Sequence, residues 1–339
     1  MPEPPLTIDD HERAAREVLP ADVFDFIAGG AGDEWTLAEN RRSFARWMFR
    51  PRVLRGANEP DPTIQLFGDR ISMPVIVAPW AYQRLVHADG DVGTARGAAA
   101  AGTIACLSSS GFDLLDGIVA ASEGPKWWQL YVSADRGFTA EMLARVAAGG
   151  FRAIVWTVDL PVYGIRRRDE RNAFEIPDEL VPAGFGNDGA IAWDDLPWIR
   201  EQASGLPVLV KGVLTPEDAE LALQAGADGI VVSNHGGRQL DATTPALGAL
   251  PDVAAAVGGR IPVLMDGGVR CGTDVVKALA LGAAAVLVGR PAAWGLAVGG
   301  AEGVAHVLGI FREELENAMA LCGCGTVAAI RRELVVAAP

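Results

Sequence analysis

Positive charge is scarce in this chain. Its 339 residues carry 29 Lys and Arg against 43 Asp and Glu, a formal net charge of −14 at pH 7. Nucleic acid and anionic membrane surfaces both call for a basic face, so this balance argues against either as the main partner. An acidic protein that handles an anion must concentrate its few cations, which draws attention to arginines near strand ends. Cysteine is sparse too: Cys106, Cys271, Cys322 and Cys324 show no framework spacing, and reduced cytoplasmic thiols are expected. Long hydrophobic runs are missing. The longest, Ala278 to Gly289, is bounded by Lys277 and Arg290 and is too short for a bilayer. The opening "MPEPPLTIDDHERAAREVLP" has no apolar segment of the secretory kind. These absences lead to the expectation of a soluble, cytoplasmic protein.

Half of the residues are hydrophobic, enough for a sizeable core, and the length allows two average domains or one large α/β barrel. One pattern recurs: an Ala-rich helical segment ends in Gly, and an apolar strand follows. It occurs in "AAGTIACLS", "AGGFRAIVWTVD", "QAGADGIVVSN" and "ALGAAAVLVGR". Glycine suits the left-handed helix cap, and the short joint suits a parallel sheet. The runs "PVIVAP", "KWWQLYV", "PVLVKGV" and "IPVLMDGG" complete a set of eight strands. Most are continuously apolar, as strands covered on both faces are. Between them lie helical stretches such as "TPEDAELALQAGA", with Thr215 as N-cap and Pro216 at the first helical position.

Eight such units predict an α/β fold of the (β/α)8 TIM-barrel type with a short N-terminal helical segment. An open doubly wound sheet is the alternative, but "PVIVAPWAYQRL" stands where its Gly-x-Gly-x-x-Gly fingerprint belongs. A single domain over 1–339 is expected. Residues 1–73 form a helical cap and a hairpin, "TIQLFGDRIS", turning at Gly68-Asp69, and 74–339 form the barrel. The stretch from Arg166 to about Trp193 is long for a βα loop, and such loops usually serve a site.

Chemistry on this fold sits at the C-terminal strand ends. Those ends read Ala78, Pro79, Trp80 and Ala81; Ser108 to Ser110; Gln129 with Tyr131; Thr157 with Asp159; Lys211; Ser233 to Arg238; Asp266 to Arg270; and Gly289 with Arg290. One polar tip is an ordinary strand cap. Polar tips on nearly every strand, converging on one mouth, indicate a site. None carries a metal-type cluster, so no metal is expected. "DGGVRCGTD" and "VGRP" read as a phosphate cradle, with bare glycine backbone beside Arg270 and Arg290.

"SNHGGRQLD", "DGGVR", "LVKGV", "QLYV", "TVD" and "WTLAENRRSF" together resemble the FMN-dependent 2-hydroxy-acid oxidases and dehydrogenases, the family of glycolate oxidase, lactate oxidase and mandelate dehydrogenase. The resemblance covers almost the whole chain. "FDFIAGG" with "APWAYQRL" is most similar to the bacterial hydroxymandelate-oxidase branch. It implies His235 as the base, oriented by Asp159, with Arg238 and Arg166 gripping the substrate carboxylate and Tyr131 donating to substrate oxygen. It also implies Lys211 beside the flavin ring. Ala78 to Ala81, Ser108, Gln129, Thr157, Ser233 and Asp266 would line the cofactor, and Gly267, Gly268, Arg270, Gly289 and Arg290 would hold its phosphate. By the same resemblance the protein is a homo-oligomer, a tetramer. Three histidines, His11, His87 and His306, have no partner in sequence and are expected to do no chemistry, while Trp127, Trp128 and Trp193 are read as packing.

Phe26 stands where many members have a tyrosine that bonds the carboxylate, and Ser110 where glycolate-oxidase-like members have a tryptophan. Both changes favour an aryl or bulky 2-hydroxy acid such as mandelate, and the resemblance implies the (S) enantiomer. The loop after the fourth strand lacks the basic, apolar insertion of membrane-bound mandelate dehydrogenases, which favours dioxygen as acceptor. The alternatives are a dehydrogenase that passes electrons to a quinone or carrier protein, and a flavin-binding scaffold without turnover.

Overall fold

The computed structural model describes residues 5–339. The N-terminal cap holds α1 (Ile8–Val18), α2 (Ala21–Ala28) and α3 (Trp35–Arg42), followed by strand β1 (Trp47–Phe49) and the hairpin β2 (Ile64–Leu66) and β3 (Asp69–Ile71). Then β4 (Val75–Val77), β5 (Ala105–Ser108), β6 (Lys126–Leu130), β7 (Ala153–Thr157), β8 (Val208–Val213), β9 (Gly229–Val232), β10 (Val263–Asp266) and β11 (Ala285–Val288) close into a parallel barrel. The helices between and after them are α4 (Gly90–Ala100), α5 (Leu115–Ala121), α6 (Arg136–Ala148), α7 (Arg167–Arg171), α8 (Asp195–Gln202), α9 (Pro216–Ala225), α10 (Ala246–Val257), α11 (Gly272–Ala280) and α12 (Arg290–Cys322). All eight expected strands are present, and the fold is the (β/α)8 barrel.

The continuous apolar runs have a simple cause. Alternate residues point to opposite faces of a strand, and here both faces are buried. Ile76, Cys106, Trp127, Val155, Leu209, Val231, Leu264 and Leu287 fill the barrel interior. Their neighbours Val77, Leu107, Trp128, Trp156, Val210, Val232, Met265 and Val288 pack outward against the helices. Trp127 and Trp128 are therefore core residues on opposite sides of one sheet. The repeated Gly before β5, β7, β9 and β11 is the left-handed helix end: φ is 71° at Gly102, 75° at Gly150, 91° at Gly226 and 114° at Gly282. At the start of α9 the Thr215 side chain accepts from the Asp218 N–H at 3.1 Å.

The hairpin corrects an expectation by one residue. Leu66 pairs with Asp69, so the turn is Phe67-Gly68, both left-handed (φ 47° and 88°), rather than Gly68-Asp69. That register lets Leu66 and Ile71 plug the barrel floor and sets the Phe67 ring edge-on to Trp127, 5.7 Å between centroids. A further strand, β12 (Val335–Ala337), pairs with β1 and ties the end of the chain to the cap. His11 and His306, unpartnered in sequence, meet at 2.9 Å across α1 and α12. α12 reaches a membrane-spanning length, but its backbone breaks at Gly299 and Gly300 and its apolar face packs on α1, α4 and α11. The four cysteines are free.

Candidate active site

After β9 the chain turns through three consecutive left-handed residues, His235 (φ 56°), Gly236 (φ 63°) and Gly237 (φ 76°). A short turn of this kind stands the imidazole at the barrel mouth. His235 Nδ1 lies 2.8 Å from Asp159 Oδ1, on the loop after β7. That contact places the ring proton on Nδ1 and leaves the Nε2 lone pair free to accept a proton. Burial in the cleft, with Lys211 and Arg166 nearby, holds His235 below its ordinary value although Asp159 pulls the other way, so the ring is neutral near pH 7. For Asp159, burial acts to raise the pKa, but His235 and Lys211 outweigh it and keep the carboxyl ionised. Asp159 Oδ2 is buried with no partner among the described residues.

Lys211, from β8, is buried. Its ammonium is 3.0 Å from Ser233 Oγ and 3.3 Å from Asp266 Oδ2. Burial opposes its charge, but Asp266 and Asp159 override this and raise its pKa, so it is a fixed cation. Beside it runs a buried polar row across three strands: Ser108 Oγ donates to Gln129 Oε1 at 3.0 Å, and Gln129 Nε2 donates to Thr157 Oγ1 at 3.0 Å.

Four arginines, Arg166, Arg238, Arg270 and Arg290, line the same cavity. None makes an ion pair among the described residues, whereas their neighbours do: Arg167 pairs with Asp33, and Arg168 with Asp25 and Glu34. In the "RRRDER" run, then, Arg166 alone turns inward, and its Nε approaches the Arg238 carbonyl at 3.5 Å. Arg238 donates to the carbonyls of Phe26 (2.7 Å) and Gly29 (2.8 Å) at the end of α2. Arg290 donates to Ile27, Gly236 and Gly29 carbonyls at 2.8–3.0 Å. Among the described residues, Arg270 Nη1 reaches only the Val269 carbonyl, and its Nε is buried without a partner. Burial first depresses the pKa of Arg238, Arg270 and Arg290; the charges of Arg166 and Arg290 then act on Arg238, that of Arg41 on Arg270, and those of Arg270 and Arg166 on Arg290. In an acidic protein this is an anion site.

The cavity, open to solvent, joins these parts. It fits FMN. Gly267 and Gly268 are left-handed (φ 96° and 86°), and a Cβ at Gly268 would lie 2.2 Å from the Asn40 carbonyl, so only glycine brings that backbone to a phosphate. The orphaned Arg270 Nε stands at the same loop. The row Ser108–Gln129–Thr157 and the Lys211 ammonium offer donors to a flat polar ring.

Of the residues expected at the site, Ala78, Pro79, Trp80, Ala81, Tyr131, Gly289 and those above line the cavity, but Asp159, Ser110 and Ser233 do not. Asp159 acts through His235, and Ser233 through Lys211 and the His235 N–H, which its Oγ accepts at 3.0 Å. Ser110 opens no gap. Its Oγ is buried between Ser108 Oγ (3.1 Å) and the Tyr82 N–H (3.2 Å). What the sequence reading missed is an aromatic wall. Tyr82, Tyr163 and Phe185 join Tyr131 and Phe26 around the mouth. The chain has three tyrosines and all of them are here, a concentration that the residue count alone could have flagged. Phe26 stacks on Phe174 of the long loop at 4.7 Å, with the Arg238 guanidinium 5.2 Å from its ring centroid.

Known proteins share both sequence and shape. Glycolate oxidase of Spinacia oleracea is 44% identical over 97% of this chain and 95% of its own length. L-lactate oxidase of Nostoc sp. is 43% identical over 94% of this chain and 95% of its own. A solved mandelate oxidase with (S)-2-phenylpropionate superimposes with a TM-score of 0.93 at 44% identity, covering 98% of this chain and 99% of that one. The three activity names lie at nearly equal identity, so identity does not choose among their substrates. The model of the FMN-dependent dehydrogenase family matches residues 15–337. The chain therefore belongs to that family, the FMN-dependent 2-hydroxy-acid oxidoreductases, and FMN is its cofactor.

Proposed function

We propose that the protein oxidises an aryl or bulky (S)-2-hydroxy acid to the 2-oxo acid, with dioxygen as acceptor and hydrogen peroxide as product. The observation that carries this reading is the His235–Asp159 pair on one cavity with Arg238 and Arg166. Two guanidiniums match a carboxylate with paired hydrogen bonds and set the substrate Cα and hydroxyl against the imidazole. His235 Nε2 takes a proton from the substrate, and Asp159 orients the ring and stabilises the cation that forms. Tyr131, whose pKa is raised by burial and by Asp159, stays protonated and donates to the substrate hydroxyl oxygen. FMN, when bound, accepts the two electrons that leave Cα. Gly267, Gly268, Arg270, Gly289 and Arg290 would hold its phosphate, and Ser108, Gln129, Thr157 and Lys211 its ring.

Preference for a bulky side chain rests on the wall of Phe26, Tyr82, Tyr131, Tyr163 and Phe185. Covering an aryl ring there recovers about 25 cal/mol per Å² of apolar area, which glycolate cannot supply. A cytoplasmic homo-oligomer completes the reading. The test is anaerobic mixing of the yellow protein with glycolate, lactate and mandelate, followed by air. Bleaching by mandelate at the lowest concentration, with rapid recovery in air, is the expected result. Bleaching that recovers only with a quinone would make it a dehydrogenase, and no bleaching by any acid would leave a binding scaffold.

A further inference from the structure

The left-handed turn that carries His235 is strained, and something must hold it. A non-glycine residue in this region is disfavoured and persists only where its surroundings over-determine it. Asn234 supplies part of the hold from inside the turn, since its Oδ1 accepts the Gly237 N–H at 3.1 Å. Ser233 Oγ, Arg290 and the Ala31 N–H hold the His235, Gly236 and Gly237 backbone in turn, and Asn234 itself is held from 194 residues away. Asn40 Nδ2, on α3, donates to that same Oδ1 at 2.9 Å, and Asn234 Nδ2 donates back to Asn40 Oδ1 at 2.8 Å. Both side chains are buried, 2% and 4% exposed, so water cannot substitute for either partner.

Asn40 also faces the other half of the site. Its carbonyl, which accepts from Ser43 Oγ at 2.8 Å, stands where a Cβ on Gly268 would clash, and its side-chain amide is 3.4 Å from where a Cβ on Gly267 would lie. Its Oδ1 further accepts the Ala246 N–H at 3.4 Å, at the start of α10. One buried residue thus faces both the base-bearing turn, through its side chain, and the glycines of the cradle, chiefly through its backbone.

We infer that Asn40 is a positioning residue for the reaction: through the reciprocal amide clasp with Asn234 it holds the His235 turn in register with the Gly267–Gly268 loop. This rests on His235 being the base. A misplacement near 1 Å costs about 10²-fold in rate without any contact to substrate. Asn40→Asp is nearly isosteric, but an ionised carboxylate cannot donate to Asn234 Oδ1. A protonated one can.

The holoenzyme and its Asn40→Asp, Asn40→Ala and His235→Ala variants are compared by anaerobic flavin reduction over a pH series, by amide hydrogen exchange of residues 233–238, and by FMN retention. The expected result for Asn40→Asp at neutral pH is a 10- to 100-fold slower reduction at saturating substrate, KM within threefold, and faster exchange in the turn. The ratio of variant to unmodified rate should climb as pH falls, because protonation restores the donor. Asn40→Ala should be slow at every pH. Should Asn40→Ala fail to fold, the pH dependence of that ratio in Asn40→Asp still decides. Unchanged exchange, or reduction within twofold of the unmodified enzyme while His235→Ala is inactive, would overturn the inference. If His235→Ala itself reduces normally, the base assignment falls instead.

Discussion

His235 meets the two demands on a base at near-neutral pH: it is neutral, and its cationic form is stabilised once made. Burial and the nearby Lys211 and Arg166 supply the first, and Asp159 at 2.8 Å the second. Because the neutral ring is the active form and its pKa is depressed below 6.5, kcat/KM should be level near pH 7 and fall as pH drops through a limb below 6.5. A limb centred above pH 7 would contradict this. His235→Ala should retain FMN and reduce it at least about 10²–10⁴ times more slowly, the usual contribution of a general base. Arg238→Lys should instead raise KM, since an ammonium cannot make the paired contact. Phe26→Tyr should improve kcat/KM for glycolate relative to mandelate, by restoring a hydroxyl worth about 0.5–1.5 kcal/mol beside the carboxylate clamp. The burial of Ser110 changes what a substitution there would do. Ser110→Trp would overpack Ser108 and the Tyr82 backbone, so loss of thermal stability is expected, not a sieve against aryl acids.

At the scale of elements, α3 is the hidden organiser of the site. Its own N-cap residue, Glu34, offers no side-chain bond, and the cap comes from Asp241, whose carboxylate accepts the N–H groups of Asp33 (2.9 Å) and Thr36 (2.8 Å). The motif "HGGRQLD" therefore carries, beside the base, the residue that docks α3 onto it. Between them, Gln239 Nε2 donates to the carbonyls of Asp159 and Val162, both at 3.0 Å, fastening the segment that bears Asp159 and leads to Arg166. Asp241→Ala should lower stability by about 1–2 kcal/mol, the value of a lost cap, seen as a drop of a few degrees in Tm with FMN bound. An unchanged Tm would show the cap to be idle. These dependencies explain what the sequence could and could not disclose. Strands β4–β11 were legible because burial on both faces writes an unbroken apolar run, and their tips because polar residues end each run abruptly. β1 and β12 were not, because three-residue strands at opposite ends of the chain have no local signature of pairing. The partnership of Asn40 with Asn234, like that of His11 with His306, exists only in three dimensions, and so does the convergence of Tyr82, Tyr163 and Phe185. Ser110 misled for the same reason: its place in the chain said nothing about which way its hydroxyl turns.

For the whole molecule, the governing fact is a cationic pocket inside an acidic protein. Only 29 of its residues are Lys or Arg, yet Arg166, Arg238, Arg270, Arg290 and Lys211 line one cavity, and among the described residues only Lys211 has a carboxylate counterion there. Like charges brought together out of water oppose folding until anions arrive. FMN phosphate and substrate carboxylate are those anions, so the protein should be markedly less stable without them. A ligand at a hundredfold excess over its Kd adds about 2.7 kcal/mol, and removal of FMN should lower Tm accordingly. Inorganic phosphate should restore part of the loss, and sodium chloride at equal ionic strength less, because the site selects geometry as well as charge. Arg270 offers the sharpest version, since its Nε is buried without a partner among the described residues. Replacing an uncompensated cation by an apolar side chain of similar length is neutral or stabilising when nothing else depends on it. Arg270→Met should therefore leave the FMN-free protein as stable as before or raise its Tm, while abolishing the response to phosphate and weakening FMN binding. A variant that loses stability without FMN and still responds to phosphate would show that Arg270 serves the fold and that the anion is held elsewhere.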